Sequence, residues 1–215
     1  MDGITVHYFK GLNGRGALIK CMLEVSKTPY TAKNYEFPEW GSMEKPVETF
    51  EYCQLPVVEM NGKVYNQSLA CELLLGKKLG FAGDNDDETY EVTNIIAGKE
   101  DWIFKIYPVL FNVDQTKLEQ NFEEINKDLL SYILPIYERK VTIKKGKYVV
   151  NNKITLADIF LTYTYLLLTQ SGFKGKLNDS LNKYAPNFCS YCKGLATNEL
   201  KDYFETGSYV KDAVL

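Results

Sequence analysis

The runs Val57-Val58-Glu59-Met60 and Lys63-Val64-Tyr65-Asn66 flank the dipeptide Asn61-Gly62, and no other stretch restricts the chain as much. A tight type I′ turn needs positive φ at both central residues, which Asn-Gly tolerates, so the two runs pair as an antiparallel hairpin. Gln67-Ser68 follows at once, and apolar residues at Leu69, Ala70, Leu73 and Leu74 keep a helical spacing. A helix therefore starts where the second strand stops, with Ser68 at or near its N-terminus. Its first N–H groups lack partners within the helix and carry partial positive charge, so with the glutamine and the hydroxyl they form a cradle for a carboxylate or phosphate. Ahead of the hairpin, Gln54-Leu55-Pro56 puts a proline at the first strand position, where a missing N–H is tolerated. Pro56 reads locally as an ordinary turn proline, or as a cis proline that turns the Leu55 N–H and C=O outward to an extended ligand.

Upstream, Ile4 to Phe9 alternates and is rich in β-branched and aromatic residues, as a strand is. The glycine-rich turn Lys10–Gly16 leads to Ala17, Leu18, Cys21, Met22 and Val25, apolar at helical spacing. Neither G-x-G-x-x-G nor G-x-x-x-x-G-K-[ST] is present, which excludes a nucleotide-binding loop. Arg15 at the helix start opposes the macrodipole, so it serves something other than helix stability. Tyr30–Phe37 reads as a second strand, parallel to the first, and Pro38–Tyr52 as a loop with at most a short helix. The order β-α-β, loop, β-β-α is thioredoxin-like.

Gly80–Glu88 is an acidic Gly/Asp-rich break, after which the pattern turns helical: Tyr90–Phe111, Leu118–Lys140, Asp179–Lys193 and Ala196–Phe204. Thr155-Leu-Ala-Asp158 is a capping box with Asp in place of Glu, ahead of the apolar helix Ile159–Leu168. Tyr148–Val150 is a possible extended segment. The expected fold class is α/β plus all-α, with a thioredoxin-like domain over 1–80, a linker over 81–86 and an all-helical domain over 87–215.

A net charge of −3 and the absence of a basic stripe argue against nucleic acid, and no apolar run reaches the roughly 18 residues of a membrane span. Without a secretion signal the chain reads as cytoplasmic, and its five cysteines as reduced. Cys189 and Cys192 form a C-x-x-C pair, but in a helical stretch near the C-terminus and without two further zinc ligands they read as packed thiols, so no metal is expected. His7 points away from Tyr8 on the alternating strand and reads as a core histidine.

Tyr8 in H-Y-F, Gly14-Arg15-Gly16, Gln54-Leu55-Pro56, Gln67-Ser68 and Ile154-Thr-Leu-Ala-Asp-Ile159 occur in the order of the cytosolic glutathione S-transferases. The whole chain resembles that family, most closely the tyrosine-type sigma class, whose members include conjugating enzymes, prostaglandin D synthases and catalytically weak lens crystallins. The resemblance implies a co-substrate, glutathione, and a second substrate, a hydrophobic electrophile. By it, Tyr8 donates a hydrogen bond to the glutathione sulfur and Arg15 adds a positive field. Gln67 and Ser68 hold the γ-glutamyl moiety, Ser68 and its helix N-terminus receiving the carboxylate, while Leu55 pairs through its backbone with the cysteinyl residue, Pro56 is cis and Gln54 lies alongside. Trp40 and, with a one-residue shift, Lys45 contact the glycyl carboxylate. Asp101 reaches the partner's γ-glutamyl amine in a homodimer.

Phe104, Tyr107 and Phe111 share a helical face, a pattern that is more often plain core than an apolar substrate floor. The resemblance implies the latter. It leaves three activities: conjugation, glutathione-dependent isomerase or peroxidase chemistry on a prostanoid or hydroperoxide, and binding without catalysis. The intact Tyr8, Arg15, Gln67 and Ser68 speak against the last.

Overall fold

Strand β1, Thr5–Phe9, is the backbone on which the first unit is built. It pairs in parallel with β2 (Thr31–Tyr35), through Thr5↔Thr31 and Phe9↔Tyr35, and antiparallel with β3 (Val57–Met60), through His7↔Val57. β3 turns back into β4 (Lys63–Asn66) through Asn61 and Gly62, whose φ values of 51° and 72° are the positive pair that the hairpin needs. The four strands lie in the order β2-β1-β3-β4. The computed structural model describes residues 3–110, 115–144, 146–170 and 177–211.

Helix α1 (Ala17–Val25) connects β1 to β2 and is buried over Ala17–Leu23, while α3 (Ser68–Leu79) packs against it and β3. Between β2 and β3, α2 (Phe37–Ser42) is a short helix with reciprocal capping by Glu36 and Glu39 and a proline in its first turn. Four of the five β2 residues are exposed, as suits a short edge strand carrying Lys33. The strand is trimmed at both ends relative to Tyr30–Phe37.

The helical unit holds α4 (Asp86–Leu110), α5 (Gln115–Asp128), α6 (Leu134–Thr142), α7 (Leu156–Gln170), α8 (Asn178–Tyr184) and α9 (Pro186–Thr197). Two short helices follow, α10 (Lys201–Phe204) and α11 (Ser208–Lys211). By internal packing, the chain divides into Met1–Ala82 with Ala196–Leu215, and Gly83–Leu195. The fold is a thioredoxin-like α/β domain plus an all-helical domain. No helix among the described residues is long and apolar enough to cross a membrane.

Several helix expectations need correction. The Leu118–Lys140 pattern is interrupted by a π-turn over Leu129–Ile133, because Pro135 has no N–H for the carbonyl four residues earlier. Asp179–Lys193 is two helices: Ala185 precedes Pro186, leaves helical geometry at φ −142°, ψ 51°, and lets a new helix start with the proline. The proposed helix Ala196–Phe204 is the last turn of α9 and the separate α10. Tyr148–Val150 is no strand, since the Val149 N–H goes to a side chain, Asp158 Oδ1, at 3.0 Å.

That carboxylate organises the helical core. Asp158 is fully buried and also accepts from the Thr155 N–H at 2.7 Å, the Thr155 hydroxyl at 2.9 Å and the Tyr191 phenol at 2.5 Å. Thr155-x-x-Asp158 thus caps α7 and pins both the preceding loop and α9. Asp158→Ala would strand these donors in the core, each unmade bond costing about 1–3 kcal/mol. Urea denaturation should show a loss of at least about 3 kcal/mol; a loss under 1 kcal/mol contradicts this role.

Candidate active site

Tyr8 lies at the end of β1 with 5% of its surface exposed. Alternation along β1 puts Val6 and Tyr8 on one face and His7 and Phe9 on the other. The chain then loops back through Gly14–Gly16, a single 3₁₀ turn, so that the Arg15 main-chain N–H donates to the Tyr8 oxygen at 2.8 Å. Gly16 makes this approach possible, because a Cβ there would lie 2.9 Å from two atoms of the Tyr8 ring. Burial pushes the Tyr8 phenol up to about 12, against the opposing pull of the Arg15 and Gly16 N–H groups and the Arg15 charge. Tyr8 is therefore neutral at physiological pH. Its oxygen already accepts a hydrogen bond, and its proton remains to be donated.

The Arg15 guanidinium reaches across to α3, where Nη1 donates to the Ser68 Oγ at 3.1 Å. Ser68 is buried at the first position of α3, and Gln67 precedes it in an unusual conformation, φ 68° and ψ 118°. The Gln67 amide donates to Gln54 Oε1 at 3.2 Å, joining both ends of the hairpin. Gln54 is followed by Leu55 and Pro56, whose shared peptide bond is cis. Tyr8, Arg15, Gln54, Leu55, Pro56, Gln67 and Ser68 are thus brought together at one end of the sheet.

On the other face, the Trp40 ring packs edge-on against Phe50 at 5.1 Å and Phe9 at 5.9 Å between centroids. Lys45 sits over the Trp40 ring with Nζ 4.9 Å from its centroid, a cation–π arrangement, and donates to the Met43 carbonyl at 3.1 Å. Glu44 is exposed. His7 is buried beside this group, with Nδ1 2.8 Å from the Tyr35 phenol and Nε2 3.0 Å from Glu59. Burial holds its pKa below the ordinary value despite the Glu59 charge.

Three polar residues escape the sequence reading. Lys20 and Glu72 are both fully buried, on α1 and α3. The Lys20 ammonium lies 5.7 Å from the Tyr8 ring centroid, and the Glu72 charge opposes ionisation of Tyr8. The buried stripe of α3 is Ser68, Cys71, Glu72, Leu75 and Gly76, and the apolar Leu69, Ala70, Leu73 and Leu74 lie outside it. Asn13 is the third; its partners lie almost two hundred residues away, beyond any local pattern.

In the helical unit Asp101 is exposed on α4 and lines a cleft of about 390 Å³ with Asn94, Gly98, Asp128 and Tyr132. Phe104 and Tyr107 fall on the α4 backbone, but their side chains, like Phe111 as a whole, lie outside the described residues. Cys189 and Cys192 are free, buried thiols on α9; burial pushes Cys189 up to about 11 and Cys192 well above its ordinary value, which suits packing and not redox exchange. Among the described residues no group of three or more His, Cys, Asp or Glu could hold a metal ion.

Residues 100–207, half of the chain, match the family "Glutathione S-transferase, C-terminal domain". A Schistosoma japonicum "Glutathione S-transferase class-mu 28 kDa isozyme" is 29% identical over 167 residues, 74% of this chain and 77% of that one. Among solved structures, the Fasciola hepatica sigma class GST superposes with a TM-score of 0.79 at 22% identity, covering 95% of this chain and 96% of its own. Prostaglandin synthase D of Nilaparvata lugens does so with a TM-score of 0.75 at 23% identity, over 94% and 97%. The chain belongs to the glutathione S-transferase family and is an enzyme of that family.

Gly16→Ala tests the close approach of turn and ring. Relief of the clash by moving the turn should cost about 1–3 kcal/mol and lower transferase activity several-fold in protein that still folds; activity within twofold of the parent would show the contact to be dispensable.

Proposed function

We propose that the enzyme binds glutathione at the end of the first unit's sheet, activates its thiol as a thiolate through Tyr8, and conjugates it to hydrophobic electrophiles. The observation that carries this reading is a neutral phenol, held near pKa 12, whose oxygen is fixed by the Arg15 N–H at 2.8 Å. A phenol so placed has a proton to donate and none to lose. Family membership and the curated relatives named glutathione S-transferases support glutathione as co-substrate.

A free thiol with a pKa of about 8.5 is only about 3% thiolate at pH 7. A donated hydrogen bond favours the anion; lowering the pKa by about two units would raise that fraction to about three-quarters, a roughly 25-fold gain. The less basic thiolate is intrinsically slower, which takes back up to about 10-fold. Fixing the electrophile beside the sulfur supplies the larger part of the acceleration, by removing the entropic cost of encounter.

In this reading Ser68, Gln67 and the first N–H groups of α3 receive the γ-glutamyl carboxylate, Leu55 pairs with the cysteinyl backbone ahead of Pro56, and Gln54 lies alongside. Trp40 and Lys45 take the glycyl carboxylate; the ammonium held against the indole supports Lys45 over the exposed Glu44. Phe104, Tyr107 and Phe111 supply apolar surface for the electrophile. We assign the enzyme to the cytoplasm and, among the tyrosine-type classes, to sigma, an assignment to which the Fasciola hepatica likeness lends support in fold alone. It acts as a homodimer in which Asp101 serves the partner's site; exposed Tyr132 (68%) and Ile136 (53%) beside Asp101 in its cleft support a covered face there.

The deciding experiment is the pH profile of kcat/KM for conjugation of glutathione to a small electrophilic aromatic. Tyr8→Phe should move its midpoint up by about two pH units and lower the rate at pH 7 by about 3- to 25-fold; an unmoved midpoint rules out Tyr8 as the activating group. For Asp101→Asn, the KM for glutathione should rise about 3- to 10-fold with the dimer intact by sedimentation, the loss expected when a hydrogen bond keeps its acceptor and loses the charge. An unchanged KM would remove Asp101 from the site.

A further inference from the structure

The turn that holds Tyr8 is closed by one backbone bond, from the Ala17 N–H to the Gly14 carbonyl. Residues Lys10–Gly16 carry glycines at 11, 14 and 16, and Gly14 has a φ of 34°, in the region that glycine enters freely. Asn13, which opens the 3₁₀ turn, makes no capping bond to it with its side chain. That amide is committed elsewhere: Nδ2 donates to the Tyr209 carbonyl at 3.0 Å, and Oδ1 accepts from the Tyr203 phenol at 3.3 Å.

Both partners belong to the C-terminal segment, α10 to α11, which is packed on α1. Tyr203 is fully buried, and its ring packs edge-on against Phe204 and tilted against Tyr209, at 4.8 and 5.7 Å between centroids. The segment is tied a second time at the far end of α1. Glu24 accepts from the Ser208 N–H at 3.0 Å and from the Tyr30 phenol at 2.7 Å. Gly207 permits this contact, since a Cβ there would strike the Glu24 carboxylate. One rigid aromatic piece therefore grips the loop before α1 and the last turn of α1.

Asn13 stands two residues before Arg15, whose N–H is bonded to the Tyr8 oxygen. We infer that Asn13 is a positioning residue for the transferase reaction: anchored to Tyr203 and Tyr209, it fixes the Gly14–Gly16 turn so that the Arg15 N–H stays on the Tyr8 phenol and directs its proton at the substrate sulfur. Asn13 touches neither substrate nor reacting atom. This role rests on the reading of Tyr8 as the activating group.

The test compares Asn13→Ala and Tyr203→Phe in the parent and in a Tyr8→Phe background, using the pH midpoint of kcat/KM, glutathione affinity by calorimetry and thermal unfolding. In the parent, each variant should raise the midpoint by about half a unit to one unit, equivalent to about 3- to 10-fold less thiolate well below the midpoint. Glutathione affinity measured at pH 6, where the bound thiol is mostly protonated, should stay within about twofold, because Ser68 and Gln67 are not moved. In the Tyr8→Phe background neither variant should shift the midpoint further, since the group through which Asn13 acts is gone. A folded Asn13→Ala protein with the parent's midpoint overturns the proposal alone, as does an equal shift in both backgrounds. Tyr203→Phe removes one hydroxyl and keeps the ring, so it carries the same test if Asn13→Ala fails to fold. A Tyr8→Phe profile identical to the parent's overturns the Tyr8 reading, and this proposal with it.

Discussion

The hydrogen bond from the Arg15 N–H to the Tyr8 oxygen ties the end of β1 to the start of α1, and much of the first unit exists to keep it made. It needs β1 in register, so that Tyr8 emerges on the helix-covered face, and a bare Cα at Gly16, so that the turn can pass over the ring. It needs Ser68 at the start of α3 within reach of the Arg15 guanidinium. The bond itself is an ordinary one, worth about 1 kcal/mol in net stability. Its value lies in direction: an oxygen already accepting from the backbone has its O–H bond aimed elsewhere.

The two faces of this sheet divide the labour. One carries Tyr8 against α1 and α3, with the buried charges Lys20 and Glu72 beside it. Burying such charges is costly, and they persist where specific partners or a field are required. The other face is an edge-to-face aromatic cluster of Tyr35, Trp40 and Phe50 beside the His7–Glu59 pair. This cluster orients the Trp40 indole, and with it the Lys45 ammonium that lies over it. Buried charge beside Tyr8 and aromatic shape around Trp40 are thus set by different physics.

Where local chemistry dictated the answer, the sequence could be read. The Asn61-Gly62 hairpin, the start of α3 at Ser68 and the Thr155–Asp158 cap each rest on residues within a few positions of one another. Where a proline acted at a distance of one turn, the reading overran: Pro135 and Pro186 divide segments whose hydrophobic period carries on through them. On α3 the apolar residues marked the helix but not its buried stripe, because packing against α1 selected the face that contains Glu72. Of the candidate site, the residues that meet around Tyr8 were legible through short motifs in a fixed order. Asn13 was not, since its partners Tyr203 and Tyr209 follow the whole helical unit in sequence.

That last separation bears on how the protein comes to exist. During synthesis, β1 to α3 leave the ribosome first and have every strand of their sheet, yet the aromatic piece that grips Asn13 and Glu24 emerges only after all of residues 83–195. A nascent chain can therefore pair its sheet early, while the Asn13 amide has neither of its side-chain partners until α10 and α11 dock. The short motifs around Tyr8 are encoded near the beginning of the chain and the two tyrosines that bond Asn13 near position 200, so a chain released part-made would carry the motifs without those contacts.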